Sequence, residues 1–550
     1  MFRLKILAII FFAVYVLIIS RLFIIQIKNQ KTEKENYLQI NKIQPERGKI
    51  YDQNKKPLVL NQNSYFLYLE KPKIENKDQL VLKLSQILNV DPSSIEAKIE
   101  KGKYWIPMTL VDEIKKNQIV ENKLKGVGFE YRLKRYYPEA SLSAHILGFL
   151  GKNEKGEDVG YFGLEGYYNK ELAGLPGFLK SEKDLLGRPI MIGLQEKIES
   201  ESGSSLILNI DKSVQEIAKK RLLLGVERYQ AKGGCVIIAK PQTMAILALV
   251  CLPDFDPERY YFFNEEFFKN PAISNLFEPG SIFKPLIMAA AIEEKKISPD
   301  DFYNETGPIT IGNYQIRTWN NKYEGKITMT RILEKSSNVG MVYVGEKLGK
   351  KNLLKYLKKF GFGQLTGIDL QGEVAGVIKS EKELYPIDYA TITFGQGIAV
   401  TSIQMINAFN TLINDGNLMR PFVVRKIVSD KEEKIIEPTK VRQVISQKTS
   451  LIMKKMLQSS IENAEVKWAK PKGYSFGGKT GTAQIPIQGR YDPSKTNASF
   501  IGFFPVEKPQ FIVLVTLKEP TTSFWGSETA GPIFFEVAKD LIVYYGITPD

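Results

Sequence analysis

Histidine is almost absent from this chain and cysteine nearly so. Its 550 residues contain one histidine, His145, and two cysteines, Cys235 and Cys251. These side chains cannot furnish an ordinary four-ligand zinc site. A Ser-His-Asp triad would have to recruit His145 from far upstream, because no second histidine exists. His145 stands in Ala144-His145-Ile146-Leu147-Gly148, which reads as a strand ending in turn glycines. Among apolar neighbours it reads as a packing or hydrogen-bonding group, not a ligand. Zinc-finger spacing, aromatic-basic motifs, a glycine-rich phosphate loop and internal repeats are also missing. The formal charge of +15 therefore does not by itself point to nucleic acid. Lysine and glutamate are mixed along most of the chain, as on a solvated surface.

Long apolar runs are lacking too, with one exception. Ile6–Ile25 is broken only by Tyr15, Ser20 and Arg21, about the length of one membrane-spanning helix. Arg3 and Lys5 precede it, which keeps the amino terminus inside. Small residues in an A-x-A-like cleavage site are missing, so the run reads as an uncleaved anchor and not a signal peptide. Residues 1–5 are then a cytoplasmic tail and 6–26 the span. Everything after Gln26 lies outside the cytoplasm, on the periplasmic side of the cytoplasmic membrane.

The remainder has the composition of a globular protein, 43% hydrophobic and 25% charged, and is long enough for two or more domains. Gln44–Asn61 reads as strand, turn, strand. Residues 77–130 alternate helical runs such as Leu80–Leu88 with extended pieces such as Tyr104–Met108. No compact chemical constellation appears before about residue 200, so 27–200 reads as a support domain. Glu199-Ser200-Glu201-Ser202-Gly203-Ser204 is a linker candidate. A strand Leu206–Ile210 follows, then a helix capped by Asp211 with Val214, Ile217, Ala218 and Leu222 on one face. The apolar runs Gly234–Ala239 and Ala245–Cys251 read as a hairpin. Pairing Ala239 with Ala245 puts Cys235 opposite Leu249 and Cys251 on the diagonal, which favours two buried free cysteines over a disulfide. After an all-helical middle come extended runs Ala498–Phe504 and Phe511–Leu517 and a last helix, Pro532–Tyr545. The order fits an α+β domain, 201–550, with one antiparallel sheet flanked by helices.

Three short motifs carry chemistry. Glu278-Pro279-Gly280-Ser281-Ile282-Phe283-Lys284-Pro285 holds the chain's only Ser-x-x-Lys. A helix starting at Ser281 brings the Lys284 amine within reach of a hydroxyl that needs a base to become a nucleophile. Alone, the pattern is as readily a helix cap and a surface lysine. Ser336-Ser337-Asn338 lies 55 residues later, and Lys479-Thr480-Gly481-Thr482 another 143 on. The last offers a cation, two hydroxyls and strand N–H groups to an anionic acyl substrate, with a glycine leaving room for close approach. Singly each motif is weak; together, unique and in this order, they form the set of penicillin-binding proteins and class A β-lactamases.

Over essentially its full length the chain resembles a class B penicillin-binding protein, a peptidoglycan D,D-transpeptidase. Arg47-Gly48-x-Ile50-x-Asp52 is similar to the family's first pedestal motif, with Gln53 where arginine is usual. Gly163-Leu164-Glu165 and Gly187-Arg188 resemble later ones. Phe394-Gly395-Gln396-Gly397-Ile398-Ala399-Val400-Thr401 and Ser-Ser-Asn resemble division-type and sporulation-type members more than elongation-type ones, with Ser402 in place of a common proline. The resemblance implies an elongated α+β pedestal ahead of the transpeptidase domain. It implies that Ser281 attacks the D-Ala-D-Ala bond of a stem peptide with Lys284 as base, is acylated by β-lactams, and is resolved by a neighbouring stem's amine. Ser336 would relay a proton and Asn338 would position the peptide and the Lys284 amine. Lys479, Thr480, Gly481 and Thr482 would bind the substrate carboxylate, and Ser281 and Thr482 N–H groups would form the oxyanion hole. It also implies a mechanism that needs no metal or organic cofactor, and a multispan SEDS-family lipid-II glycosyltransferase as partner, through the span and the pedestal. A D,D-carboxypeptidase, a β-lactamase, a β-lactam sensor and an inactive scaffold are the rival readings.

Overall fold

A computed structural model describes residues 2–36, 38–182, 195–487 and 490–550. The chain forms two compact units, Met1–Gly48 with Lys170–Ser204, and Lys49–Asn169 with Ser205–Asp550. In the first, the helix Phe2–Asn36 leads into an antiparallel sheet of Leu38–Ile43, Gly177–Glu182 and Gln195–Ile198. Among the described residues, Lys5–Gln26 is the one helical stretch long and apolar enough to cross a membrane. Gly187-Arg188 lies outside the described residues.

The second unit contains two large sheets. One has seven strands and draws on distant parts of the chain: Ile50–Tyr51, Pro57–Glu70, Trp105–Val111, Val127–Tyr136, Ser205–Leu208, Val424–Val428 and Glu433–Ile435. Helices Lys77–Leu88, Pro92–Lys101 and Glu113–Glu121 start at capping residues Asn76, Asp91 and Asp112. Their apolar faces bury Leu80, Leu84, Ile95 and Ile119 with Leu67, Leu69 and Ile106 of the sheet. Asp52 is fully buried, accepting the N–H groups of Asn54 and Lys56 at 2.8 Å and of Lys212 at 3.2 Å. Gln53, where the family usually has arginine, donates to Asp211 at 2.6 Å. Asp211 caps Lys212–Arg228 by accepting from Ser213 and Val214. The buried pair Arg135–Glu165, 2.7 Å, takes in the second pedestal motif.

The other sheet is antiparallel, and its strands are β1 (Gly233–Ala239), β2 (Ile246–Leu252), β3 (Gly477–Ile487), β4 (Arg490–Phe504) and β5 (Phe511–Lys518), in spatial order β2-β1-β5-β4-β3. Helices Lys212–Arg228 and Ala530–Tyr545 cover one face, where Leu222, Phe534 and Leu541 meet Val236, Ile238, Phe500 and Val513. The residues between, such as Ile237, Ile501 and Leu514, point to the other face and are buried as well. Burial on both faces explains why these strands read as continuous apolar runs. The α+β class and the helix-flanked antiparallel sheet agree with the sequence reading.

Three local expectations are corrected. Cys235 and Cys251 are not free but pair directly and form a disulfide, with Cα atoms 4.1 Å apart. Ala239 pairs with Ile246 and not with Ala245, and a β-bulge between Ile238 and Ala239 adds a second one-residue step, so Ile237, not Cys235, faces Leu249. Even counting from the turn assumed no bulge. His145 lies in a helical turn, Ala144–Leu147, not a strand; Gly148, at φ 73°, ends it. It is buried and hydrogen-bonded to the Phe267 carbonyl at 3.1 Å, and burial pushes its pKa down to about 4. Nor is the middle all-helical. Phe302–Glu305 pairs with Gly325–Thr328, Ile309–Ile311 with Tyr314–Ile316, and Asn417–Met419 with Lys440–Gln443. Strands of three or four residues are too short for a period-2 signal.

Candidate active site

Pro279 and Gly280 turn the chain into a single 3-10 turn, Gly280–Phe283, which runs on as the helix Lys284–Glu293. In a 3-10 turn the side chains at i and i+3 eclipse, so Ser281 and Lys284 share a face more closely than an α-helical start would give. The Lys284 N–H donates to the Ser281 carbonyl. Leu286 through Ala291 are all buried, which seats this apolar helix in the core and takes Lys284 with it, to 0% exposure. Ser281 remains half-buried at the turn. Gly280 has φ 58° and donates to Gly395 at 2.9 Å; a Cβ on Gly395 would come within 2.1 Å of the Gly280 carbonyl oxygen. That contact gives the Phe394–Thr401 glycines a job. They brace the nucleophile turn from behind, helped by Glu278, which accepts the Gly397 N–H at 3.0 Å and the Tyr491 hydroxyl at 3.2 Å.

The second motif closes on Lys284. Ser336 sits between helices Met329–Glu334 and Asn338–Leu348 with φ 58°, a left-handed conformation that costs a serine about 1–2 kcal/mol. Ser337 caps the second helix by accepting the Gly340 N–H at 2.9 Å. The Lys284 Nζ then lies 2.6 Å from the Ser336 carbonyl oxygen, 3.1 Å from Ser336 Oγ and 2.8 Å from Asn338 Oδ1. The Asn338 Nδ2 donates to the Arg317 carbonyl at 3.0 Å, which fixes which end of the amide faces the lysine. A neutral amine can donate its two N–H groups to the Ser336 carbonyl and Asn338 Oδ1 and keep its lone pair for a hydroxyl proton.

The third motif lies on β3, the edge strand of the sheet. Gly481 packs against the nucleophile turn; a Cβ there would come within 2.9 Å of Ile282 Cγ2 and 2.3 Å of Ser499 Oγ. Lys479 is 2% exposed, with Nζ 3.4 Å from both the carbonyl and hydroxyl oxygens of Thr480. Burial lowers its pKa to about 7. Burial, then the Lys479 charge, pushes the Lys284 amine well below the usual lysine range. Thr482 Oγ1 accepts the Gly526 N–H at 3.0 Å, and its own hydroxyl proton stays available. The eight residues singled out in the sequence thus fall in one locality. Among the described residues no three His, Cys, Asp or Glu side chains converge closely enough to hold a metal ion.

The sequence reading quoted Glu278 in the Ser281 motif without a role and did not pick out Tyr491 or Glu305, whose contacts reach across long sequence separations that nothing local marks.

A serine and lysine on one turn, a Ser-Ser-Asn helix start and an edge-strand Lys-Thr-Gly are together the set that a penicillin-recognising acyl transferase requires. The family model of the penicillin binding protein transpeptidase domain matches residues 234–539, and that of the penicillin-binding protein dimerisation domain matches 42–208. The chain belongs to the class B penicillin-binding proteins, the family of peptidoglycan D,D-transpeptidases. It is 31% identical to the stage V sporulation protein D of Bacillus subtilis, over 98% of this chain and 84% of that protein. A peptidoglycan D,D-transpeptidase FtsI homolog of Mesostigma viride is 30% identical over 100% and 96%. FtsI of Buchnera aphidicola is 30% identical over 98% and 94%. Two solved structures share the fold. A peptidoglycan synthetase from Bifidobacterium adolescentis has a TM-score of 0.75 at 24% identity, over 93% of this chain and 98% of that one. Penicillin binding protein 2X from Streptococcus thermophilus has 0.76 at 22%, over 93% and 83%.

Proposed function

We propose that this protein cross-links peptidoglycan stem peptides through an acyl-enzyme on Ser281. The Ser281 oxygen attacks the carbonyl between the two terminal D-alanines while Lys284 takes its proton. The C–N bond then breaks, the proton passes by way of Lys284 and Ser336 to the departing D-alanine amine, and the stem peptide remains as a serine ester. An amine of a neighbouring stem attacks that ester, and its proton returns the same way. Asn338 holds the Lys284 amine and positions the peptide. Lys479, Thr480 and Thr482 hold the terminal carboxylate on β3, and Gly481 leaves the backbone room. N–H groups of Ser281 and Thr482 stabilise the oxyanion, worth about 3 kcal/mol per donor in other acyl-transfer enzymes.

The observation that carries this reading is the bonding of Lys284: buried, depressed in pKa, and held between Ser336 and Asn338 one turn from Ser281. We further propose residues 1–5 as a cytoplasmic tail, 6–26 as the span, 27–200 as the pedestal and 201–550 as the transpeptidase domain, working on the periplasmic side. A multispan lipid-II glycosyltransferase of the SEDS family is the partner we propose, held through the span and the pedestal.

The test is intact mass before and after benzylpenicillin. The protein should gain one penicillin, stable over hours, and Ser281→Ala should gain nothing. An unchanged adduct in that variant would remove Ser281 from the chemistry, and rapid loss of the adduct in the wild type would make the protein a hydrolase.

A further inference from the structure

We propose that Glu305 is a positioning residue for the reaction, a clamp that holds Ser336 in the one backbone conformation from which it can serve Lys284. The inference rests on the acyl-enzyme reading above and adds a residue outside all three motifs.

Glu305 ends the short strand Phe302–Glu305 and is 0% exposed. A buried carboxylate needs partners, and this one has three. Its Oε1 accepts the Ser337 hydroxyl, and its Oε2 accepts the Lys335 ammonium at 2.5 Å and the Glu324 N–H at 3.2 Å. Two of these partners are the immediate neighbours of Ser336, one on each side. Lys335 is itself buried, 8% exposed at the side chain. Its carbonyl accepts the Trp319 indole N–H at 3.2 Å, so both ends of the residue are fixed.

Ser336 between them is the left-handed residue that closes the helix Met329–Glu334: its N–H and that of Ser337 donate to the Leu333 and Ile332 carbonyls at 3.2 and 2.9 Å, and Glu305 adds a side-chain bond on each flank of this cap. That conformation turns both its carbonyl and its hydroxyl onto Lys284 Nζ. Ser337 meanwhile spends its oxygen on the Gly340 N–H and its proton on Glu305, so the same contact caps the helix that begins with Asn338. One carboxylate therefore braces both neighbours of Ser336, whose carbonyl and hydroxyl touch the Lys284 amine, while the Arg317 carbonyl orients Asn338. Released, Ser336 should relax, and water should reach the lysine.

The full-length protein is tested by stopped-flow acylation with benzylpenicillin across concentration and pH. Glu305→Gln puts an amide against the Lys335 ammonium. It should lower the saturating acylation rate constant at least tenfold, leave the initial binding constant within twofold, and move the acid limb of the rate profile upward as Lys284 becomes wetter. Lys335→Met, which keeps the Ser337 contact, should show a smaller loss of the same kind and serves if Glu305→Gln does not fold. Glu334→Gln is the control. Glu334 ties the same helix end to Ser459 and Asn463 and touches nothing in the site. It should lower the melting temperature but leave the rate constant and the acid limb unchanged. If the Glu305 and Lys335 variants lose melting temperature but, like Glu334→Gln, keep the wild-type rate constant or the wild-type acid limb, Glu305 is structural and the proposal is overturned. Acylation that persists in Ser281→Ala would instead overturn the acyl-enzyme reading, whatever the Glu305 variants do.

Discussion

Two buried amines in one site force a division of labour that pH should expose. Lys284 must be neutral to take a proton, and burial beside Lys479 lowers its pKa to that end. Lys479 must be charged to hold a carboxylate, and its pKa is about 7. The acylation rate should therefore rise with pH on an acid limb set by Lys284 and fall on an alkaline limb, near pH 7 or above, set by Lys479. A bound carboxylate raises the Lys479 pKa and moves that limb outward in the complex. Lys284→Ala should collapse the saturating rate constant. Lys479→Ala should chiefly raise the concentration needed and should lack the alkaline limb. An alkaline limb that survives in Lys479→Ala would assign it elsewhere. Stability follows from the same depression. Above about pH 7 and up to the ordinary lysine value of 10.5 the unfolded chain holds a proton that the folded Lys479 has lost, so stability rises with pH in that window. Lys479→Met should be stabilised most, relative to wild type, below pH 7, and the gap should close toward pH 10 in paired thermal melts. A gap independent of pH would mean that Lys479 titrates normally.

Elements reveal how far the sequence could be read. The long ones were legible because their signals are local: the Asp211 cap, the apolar face from Val214 to Leu222, and the two-sided apolar strands of the large sheet. The motif residues were legible because their types and spacing are rare. Register was not. A turn one residue longer than assumed and one bulged residue beside it together convert two diagonal cysteines into a bonded pair, and nothing in residues 234–251 announces either. The Ser336 clamp was hidden for a related reason. Glu305 lies 32 residues from Ser337, on a strand of four residues, and only the fold brings them together. The disulfide joins residues 16 apart, and closing such a loop stabilises by about 3 kcal/mol. Cys235→Ala/Cys251→Ala should therefore melt roughly 5 °C lower than wild type. A reductant should lower the wild type by the same amount and leave the double variant where it is. Equal melting of reduced and oxidised wild type would show that the bond adds nothing.

At the scale of the whole molecule, the helix Lys5–Gln26, long and apolar enough to cross a membrane and proposed here as the span, can do more than anchor. Every side chain from Lys5 to Gln26 is exposed among the described residues. A spanning helix satisfies its own backbone and needs no partner to be stable. Arg21 is the exception in composition, one charge among apolar side chains. Such a residue near a helix end either reaches the interface or faces a polar group on another span. The proposed pedestal, 27–200, offers a second surface for the proposed polymerase, because cross-linking requires nascent glycan strands. Function should then depend on the identity of Ile6–Ile25 and not only on its length. The experiment replaces Ile6–Ile25 with an unrelated span of equal length in cells that depend on this protein. Penicillin labelling of Ser281 reports an intact site, and co-purification of the polymerase reports the contact. We expect labelling to persist while growth and co-purification fail, and restoring Arg21 with its neighbours Leu17 and Ile24 on the same helix face to recover part of both. Full rescue by the foreign span, with the polymerase still attached, would make the helix an anchor alone and leave the pedestal to make the contact.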